Sequence, residues 1–412
     1  MARICMIALT DYPADTRVRR EAEALVRRGD EVDVVCPATP ALGPRRSIGG
    51  VSIRTVTRFE YSPDSRGRDY VVRYVSFIIA ALSTVLRLHL RRRYDVVHVH
   101  TMPDILVFSA IGPRLLGASV LLDVHDLMPE LYASKFGLPE SHPMIRLLRV
   151  LERGSIAFAD SAVAVHRPHL DALVRHGNPE ERFGIVMNVP DPSLFARRAS
   201  EPPESPFRLV YHGMIGRRNG LDVAVRAVAQ ARAAIPDIEL RIIGDGDDAE
   251  RLEALIDELG VRDVVRFDRG LFDMGELLPV IARAHVGIVP ILDDAFTRFM
   301  LPVKLLEYVA LGIPVIASRT ATVSDYFDDS MICFSAAGDA DDLARRIVEL
   351  RRHPEERMRL AAAADGFNAQ HGWECERERY YRMVDGLIAS AASRRRRGRS
   401  RLPVGAGMEV QP

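Results

Sequence analysis

Lys304 and Glu307 stand three residues apart in an otherwise apolar stretch, residues 301–318. Lysine is scarce in this chain, Lys135 being the only other one, so an ammonium at Lys304 is not routine surface filling. Pro302 is placed to start a short helix, and Gly312 with Pro314 to end it before the apolar run Val315, Ile316, Ala317. Spacing of three on that helix puts the ammonium and the carboxylate on one face, just after Leu301. Such a pair suits an anionic, hydroxylated ligand: the cation meets charge and the carboxylate accepts from hydroxyls.

Three other groups have chemistry to offer. His125 and Asp126 follow an apolar strand; one reading makes Asp126 a helix cap with His125 packed beside it, and the other makes the imidazole functional. Gly213, Gly216, Arg217 and Arg218 lie in a turn between a strand and a helix, where small residues admit a close ligand and a guanidinium forks onto phosphate oxygens. The arginines are otherwise a solvated pair. Asp15 reads as a helix N-cap, with Arg17 and Arg20 on one face of the helix that follows. His98 and His100 alternate along one strand and so point the same way, but with Asp104 the nearest carboxylate and no third ligand at suitable spacing, no metal is expected there. They read as a strand end with one solvated imidazole.

These groups need rigid elements to hold them. The first half alternates short apolar runs (4–9, 32–36, 96–100, 120–124, 161–166, 184–188) with amphipathic segments such as 16–28, the pattern of a parallel sheet covered by helices on both faces. After a polar, proline-rich interval the alternation restarts at residues 207–212 and runs on through 238–243, 264–267 and 286–290. The expected organisation is an N-terminal domain over 1–196, a linker over 197–206, a second domain over 207–372, a final helix over 373–390 crossing back to the first domain, and a basic, disordered tail over 391–412. The fold class is α/β: two doubly wound parallel-sheet domains facing across a cleft lined by strand-end loops. A length of 412 residues, about half of them apolar, supports two cores. Zero formal net charge gives no overall field that favours nucleic acid. Four scattered cysteines and a start that reads as a buried strand, not a signal segment, lead us to expect a cytoplasmic protein.

The order Pro-x-Lys-x-x-Glu-Tyr, then Ala-x-Gly-x-Pro-Val-x-Ala-Ser, resembles the donor-binding segment of family 4 retaining glycosyltransferases of the GT-B fold. The resemblance implies that Glu307 grips the ribose of a nucleotide diphosphate-sugar, UDP- or GDP-linked, and that the helix start after Leu301 presents amides to the diphosphate. It implies that Arg218 and Lys304 form the paired cation, that His125 positions the sugar with Asp126 orienting its ring, and that the Gly244 turn and the backbone near Arg269 and Gly270 serve the nucleotide. The acceptor side falls to the loop with Asp15 and Arg17, to His100 and to Asp126. Two positions depart from the family pattern: Phe299 stands where a sugar-contacting Glu is frequent, and Asn219 where a Lys is common. The implied activity is metal-independent sugar transfer to a hydroxyl of a glycan or lipid-linked acceptor in cell-surface polysaccharide or glycoconjugate synthesis, with no cofactor beyond the donor. The two departures motivate an alternative, a non-catalytic nucleotide-sugar-binding scaffold or sensor; a nucleotide-sugar epimerase is a second.

Between Asp69 and Arg93 lies an apolar segment flanked by arginines, whose core over 75–86 is too short to span a bilayer. It reads either as an interfacial helix against anionic lipid at the inner face of the plasma membrane, reinforced by the arginine run at 394–397, or as a buried domain-face helix with a basic end.

Overall fold

The computed structural model describes residues 1–43, 46–58, 67–198, 202–270 and 272–400. The first sheet contains β1 (Arg3–Ala8), β2 (Glu31–Ala38), β3 (Ser47–Ile48), β4 (Val51–Arg58), β5 (Val96–His100), β6 (Ser119–Val124), β7 (Ser161–Ala164) and β8 (Phe183–Ile185), in the order β3-β4-β2-β1-β5-β6-β7-β8. The second contains β9 (Phe207–His212), β10 (Ile238–Gly244), β11 (Val265–Arg269), β12 (Val286–Val289), β13 (Val315–Ser318) and β14 (Cys333–Ser335), in the order β11-β10-β9-β12-β13-β14. Every pairing is parallel except the short β3–β4 contact. The central strands are mostly apolar because helices cover both faces; β5, β6, β12 and β13 are buried at every residue.

The strand order reverses between β1 and β5 in the first sheet and between β9 and β12 in the second. At such reversals the loops beyond the carboxyl ends diverge and leave a crevice. The first crevice is flanked by the loops after β1 and β5, and the second by the glycine turn after β9 and the Pro290 loop after β12.

The last helix, Trp373–Ser400, returns to the first domain. Tyr380 bonds His98 at 3.0 Å, the Tyr381 hydroxyl donates to the Ala24 carbonyl at 2.7 Å, and the Ser119 hydroxyl donates to the Leu387 carbonyl at 2.7 Å. The expectation of disorder from residue 391 needs correction: the helix continues to Ser400, because Arg394 bonds Asp160 at 3.1 Å and Arg395 bonds Asp95 at 2.8 Å. Carboxylates at the base of the first sheet hold these two arginines. Residues 401–412 of the expected tail lie outside the described residues. All four cysteines are free thiols.

The arginine-flanked apolar segment is one face of the helix Gly67–Arg92. Phe77, Ala81 and Val85 pack into the core of the first domain, whereas Val72, Val75, Ile79 and Leu90 are exposed. By length and composition its stretch Val72–Arg92 is apolar enough to cross a membrane, longer than the core read from sequence, yet its buried face ties it to the sheet.

Candidate active site

A cavity of about 350 Å³ lies between the domains, at the carboxyl ends of both sheets. On its second-domain wall are Met214, Arg218, Phe296, Phe299, Leu301 and Lys304, and facing them from the first domain are Arg17, His125, Asp126, His166 and His169. A larger cavity, about 560 Å³, opens near Arg208, Arg241 and Arg266, at the amino ends of β9 to β11. Ligands of parallel sheets bind at the other end, so chemistry is assigned to the smaller space.

The helix Val303–Leu311 starts at Pro302, whose missing N–H costs nothing there, and ends at Gly312 in the left-handed conformation. Its first turn carries Lys304, whose Nζ donates to the Tyr211 hydroxyl at 2.6 Å and lies 4.0 Å from that ring's centre. Burial pulls the ammonium down to about 7, Glu307 opposes this, and Arg218 adds to it. Glu307, one turn on, accepts from His212 at 2.7 Å, and His212 is held through its other nitrogen by Tyr308 at 3.0 Å. His212 thereby orients the carboxylate, which stands one turn behind Lys304 and is not among the residues lining the cavity.

Of the two adjacent arginines, only Arg218 lines the cavity, resting 5.2 Å from the Phe296 ring centre. Arg217 is exposed and outside it, which corrects its expected place in the site. Asn219, at the position where a lysine is common, is buried and donates to the Met214 carbonyl at 2.7 Å, shaping the turn. Gly213 has φ +111°, and a Cβ there would touch Lys304, 3.7 Å from its Nζ. At Gly244 a Cβ would lie 1.9 Å from the Gly213 carbonyl oxygen, so glycine lets the β9 and β10 turns touch. Arg269 pairs with Asp245 at 3.1 Å and lies outside the cavity.

Across the cleft, His125 does not take its orientation from Asp126. Asp123, on β6, lies beneath it with Oδ2 3.2 Å from His125 Nε2 and 3.3 Å from His100 Nδ1. Arg17 forks onto both oxygens of Asp123 at 2.8 Å. Burial raises the Asp123 pKa, but Arg17 and His125 outweigh it and hold the carboxyl well below its usual range. Burial lowers His125, and the Asp123 charge reverses that into a net rise. The imidazole is thus a basic group on a fixed anionic base. Asp126 lines the cavity; burial pushes its carboxyl up against the pull of His125, and the helix Met128–Phe136 begins without a side-chain cap.

Asp15 accepts from the Val18 amide at 3.0 Å as an N-cap. His98 and His100 are both buried, so neither is a solvated imidazole. Glu21 and Asp123 supply the extra ligand types that the sequence placed out of reach: with His98 and His100 their donor atoms lie within 4.8 Å of one another. Arg17 already compensates that quartet, 3.5 Å from Glu21 and forked on Asp123, so a divalent cation would be repelled by a guanidinium in the same buried space. Asp294 caps the Phe296 and Thr297 amides at 2.8 Å and accepts from Ser134 of the first domain at 2.7 Å, which fixes it as a structural bridge.

Two family models cover the two domains: "Glycosyl transferase 4-like domain" over residues 14–189 and "Glycosyl transferases group 1" over 193–366. The chain belongs to the family 4 glycosyltransferases of the GT-B fold. Among curated relatives, D-inositol 3-phosphate glycosyltransferase of Thermomonospora curvata is 26% identical over 89% of this chain and 88% of its own. Sucrose-phosphate synthase from Thermosynechococcus elongatus superposes with a TM-score of 0.77 at 20% identity, over 95% of this chain and all of the other. HepE of Anabaena, solved with UDP-glucose, superposes with a TM-score of 0.72 at 14% identity, over 94% of this chain and all of the other. This glycosyltransferase therefore has the expected fold, and its activity lies in glycan or polysaccharide synthesis.

Sequence reasoning missed Asp123, His166 and His169. A signal for Asp123 was present: a lone carboxylate inside the apolar strand Ser119–Val124 needs a buried counter-ion.

Proposed function

We propose that the enzyme moves a sugar from a UDP- or GDP-linked donor to a hydroxyl of a glycan or lipid-linked acceptor, with retention at the anomeric carbon and without a metal. The observation that carries this is the convergence of Lys304, Arg218 and the start of the helix Val303–Leu311 at one wall of the cleft, opposite His125 on its Asp123 base. The diphosphate would sit against the cations and helix amides, which gain most as leaving-group charge grows in the transition state. Glu307 would hold the ribose, and His125 the sugar hydroxyls near the reacting carbon. As the donor C–O bond breaks, the leaving phosphate oxygen takes the acceptor's proton and the acceptor oxygen bonds the same face. No protein nucleophile enters that scheme. Calorimetry with UDP, GDP and ADP tests the donor site: one nucleotide should bind selectively and lose at least tenfold in affinity in Glu307→Gln. Failure of all three to bind refutes it. The anomeric configuration of the product, read by NMR coupling, tests retention.

We further propose a cytoplasmic enzyme that works peripherally at an anionic membrane. Exposed Val75, Ile79 and Leu90 share a face of the helix Gly67–Arg92 with Arg87 and Arg91, beside exposed Ile111 and Leu115. Apolar side chains flanked by arginines suit the headgroup boundary of a bilayer, where a lipid-linked acceptor would be met.

A further inference from the structure

His169 lines the cleft and is 2% exposed, and among the described residues neither of its ring nitrogens has a hydrogen-bond partner. It sits in the first turn of the helix Arg167–Arg175, and the end of that helix is built around its neighbour. His166 is the N-cap: its Nδ1 accepts the His169 amide at 3.2 Å, and the ring also bonds the backbone of Phe299 in the second domain. The work of capping and bridging falls to His166, and His169 has no structural bond of its own. Burial, reinforced by the neighbouring His166 ring and the Arg17 charge, holds its imidazole well below the ordinary histidine pKa and so neutral. A neutral imidazole offers one N–H and one lone pair, and a sugar hydroxyl can meet either. A buried polar ring without partners is costly, and proteins keep few of them.

We propose that His169 is a sugar-reading residue: it bonds a hydroxyl of the donor's sugar when the cleft is filled. This rests on the donor-site reading above. A diphosphate anchored at Lys304 and Arg218 leaves its sugar in the space bounded by His125, His169 and Phe299, all of which line the same cavity. Phe299 presents a ring there, packed 5.3 Å from the Arg175 guanidinium, and His169 on the facing wall supplies the hydroxyl recognition that the ring cannot.

The test separates nucleotide from sugar. Affinities of UDP and UDP-glucose, and of GDP and GDP-mannose, are measured by calorimetry on the full chain and on His169→Phe, which keeps a ring and removes both nitrogens. The expected result is nucleotide affinity within about twofold of the parent, with roughly tenfold weaker binding of the sugar-bearing partner. His169→Asn, which keeps a donor and an acceptor, should recover part of that loss, and it serves as the reporting variant if His169→Phe does not fold. An equal change for nucleotide and nucleotide-sugar, or no change for either, overturns the inference. An effect confined to the acceptor's KM does so too. Failure of the parent chain to bind any nucleotide would remove the donor-site reading, and this inference with it.

Discussion

Lys304 gives the donor-site reading a quantitative consequence. Its ammonium rests at about 7 without ligand, because burial and the Arg218 charge disfavour the proton more than Glu307 favours it. A bound diphosphate places negative charge against it and raises that pKa, so nucleotide binding takes up a proton and the protonated form is the one that binds. The sign follows: affinity is fully present below about 7 and is lost as pH rises, until the bound-state pKa is passed. Between about pH 7 and pH 9 the protonated fraction falls from roughly one half to roughly one hundredth. Apparent affinity should then fall about fiftyfold, or about 2.3 kcal/mol. The nucleotide's own terminal phosphate titrates near 6, below that window, and contributes little. Arg218 and Tyr211 also face the ammonium, but a guanidinium does not titrate there and burial drives the Tyr211 hydroxyl upward, out of the range. His125 and Asp126 are cleft groups whose pKa values are raised, so the control is Lys304→Arg, which keeps the charge and removes the titration. Calorimetry in two buffers of different ionisation enthalpy, from about pH 6.5 to pH 9, measures both the slope and the proton uptake. An unchanged slope in Lys304→Arg would refute the reasoning, because the titrating group would then lie elsewhere.

Three further outcomes are expected. Asp123→Asn removes the carboxylate on which the buried Arg17 guanidinium forks, leaving it only Glu21 at 3.5 Å, and should cost about 3–5 kcal/mol, read as a lower denaturant midpoint; a loss below about 1 kcal/mol would contradict the pairing described here. Gly244→Ala places a methyl group 1.9 Å from the Gly213 carbonyl oxygen at φ +149°, and should destabilise by at least about 2 kcal/mol while pushing the β9 turn away from Lys304. Thermal unfolding and nucleotide affinity should therefore drop together. Ile79→Asp with Leu115→Asp alters side chains 64% and 81% exposed, so stability should hold while co-flotation with phosphatidylglycerol vesicles falls roughly tenfold. Equal flotation of parent and variant would move the membrane contact off this face.

The parts of the site legible in the sequence are those whose signal is local. Lys304 and Glu307 announce themselves as rare charges on a short helix bounded by Pro302 and Gly312, and Asp15 as a residue placed to cap. Two domains follow from the restart of strand and helix alternation, since each period is set within a few residues. What could not be read depends on contacts between distant segments. Asp126 is adjacent to His125 in sequence, yet it is Asp123 that lies beneath the ring, because His125 begins the loop after β6 and folds back over the strand end. Arg17 shows in the sequence only as one charge on a helix face, but the fold brings it onto Asp123, 106 residues away. The tail shows the same limit: a run of arginines has the composition of a solvated segment, and only the docking of the last helix against the first domain places Asp95 and Asp160 beside it. Charge in isolation predicts solvation, and charge with a partner in the right place extends a helix. The position of that partner is a property of topology, which is why the donor-side helix could be assigned from one stretch of chain while the histidine and carboxylate network opposite it required the assembled sheet.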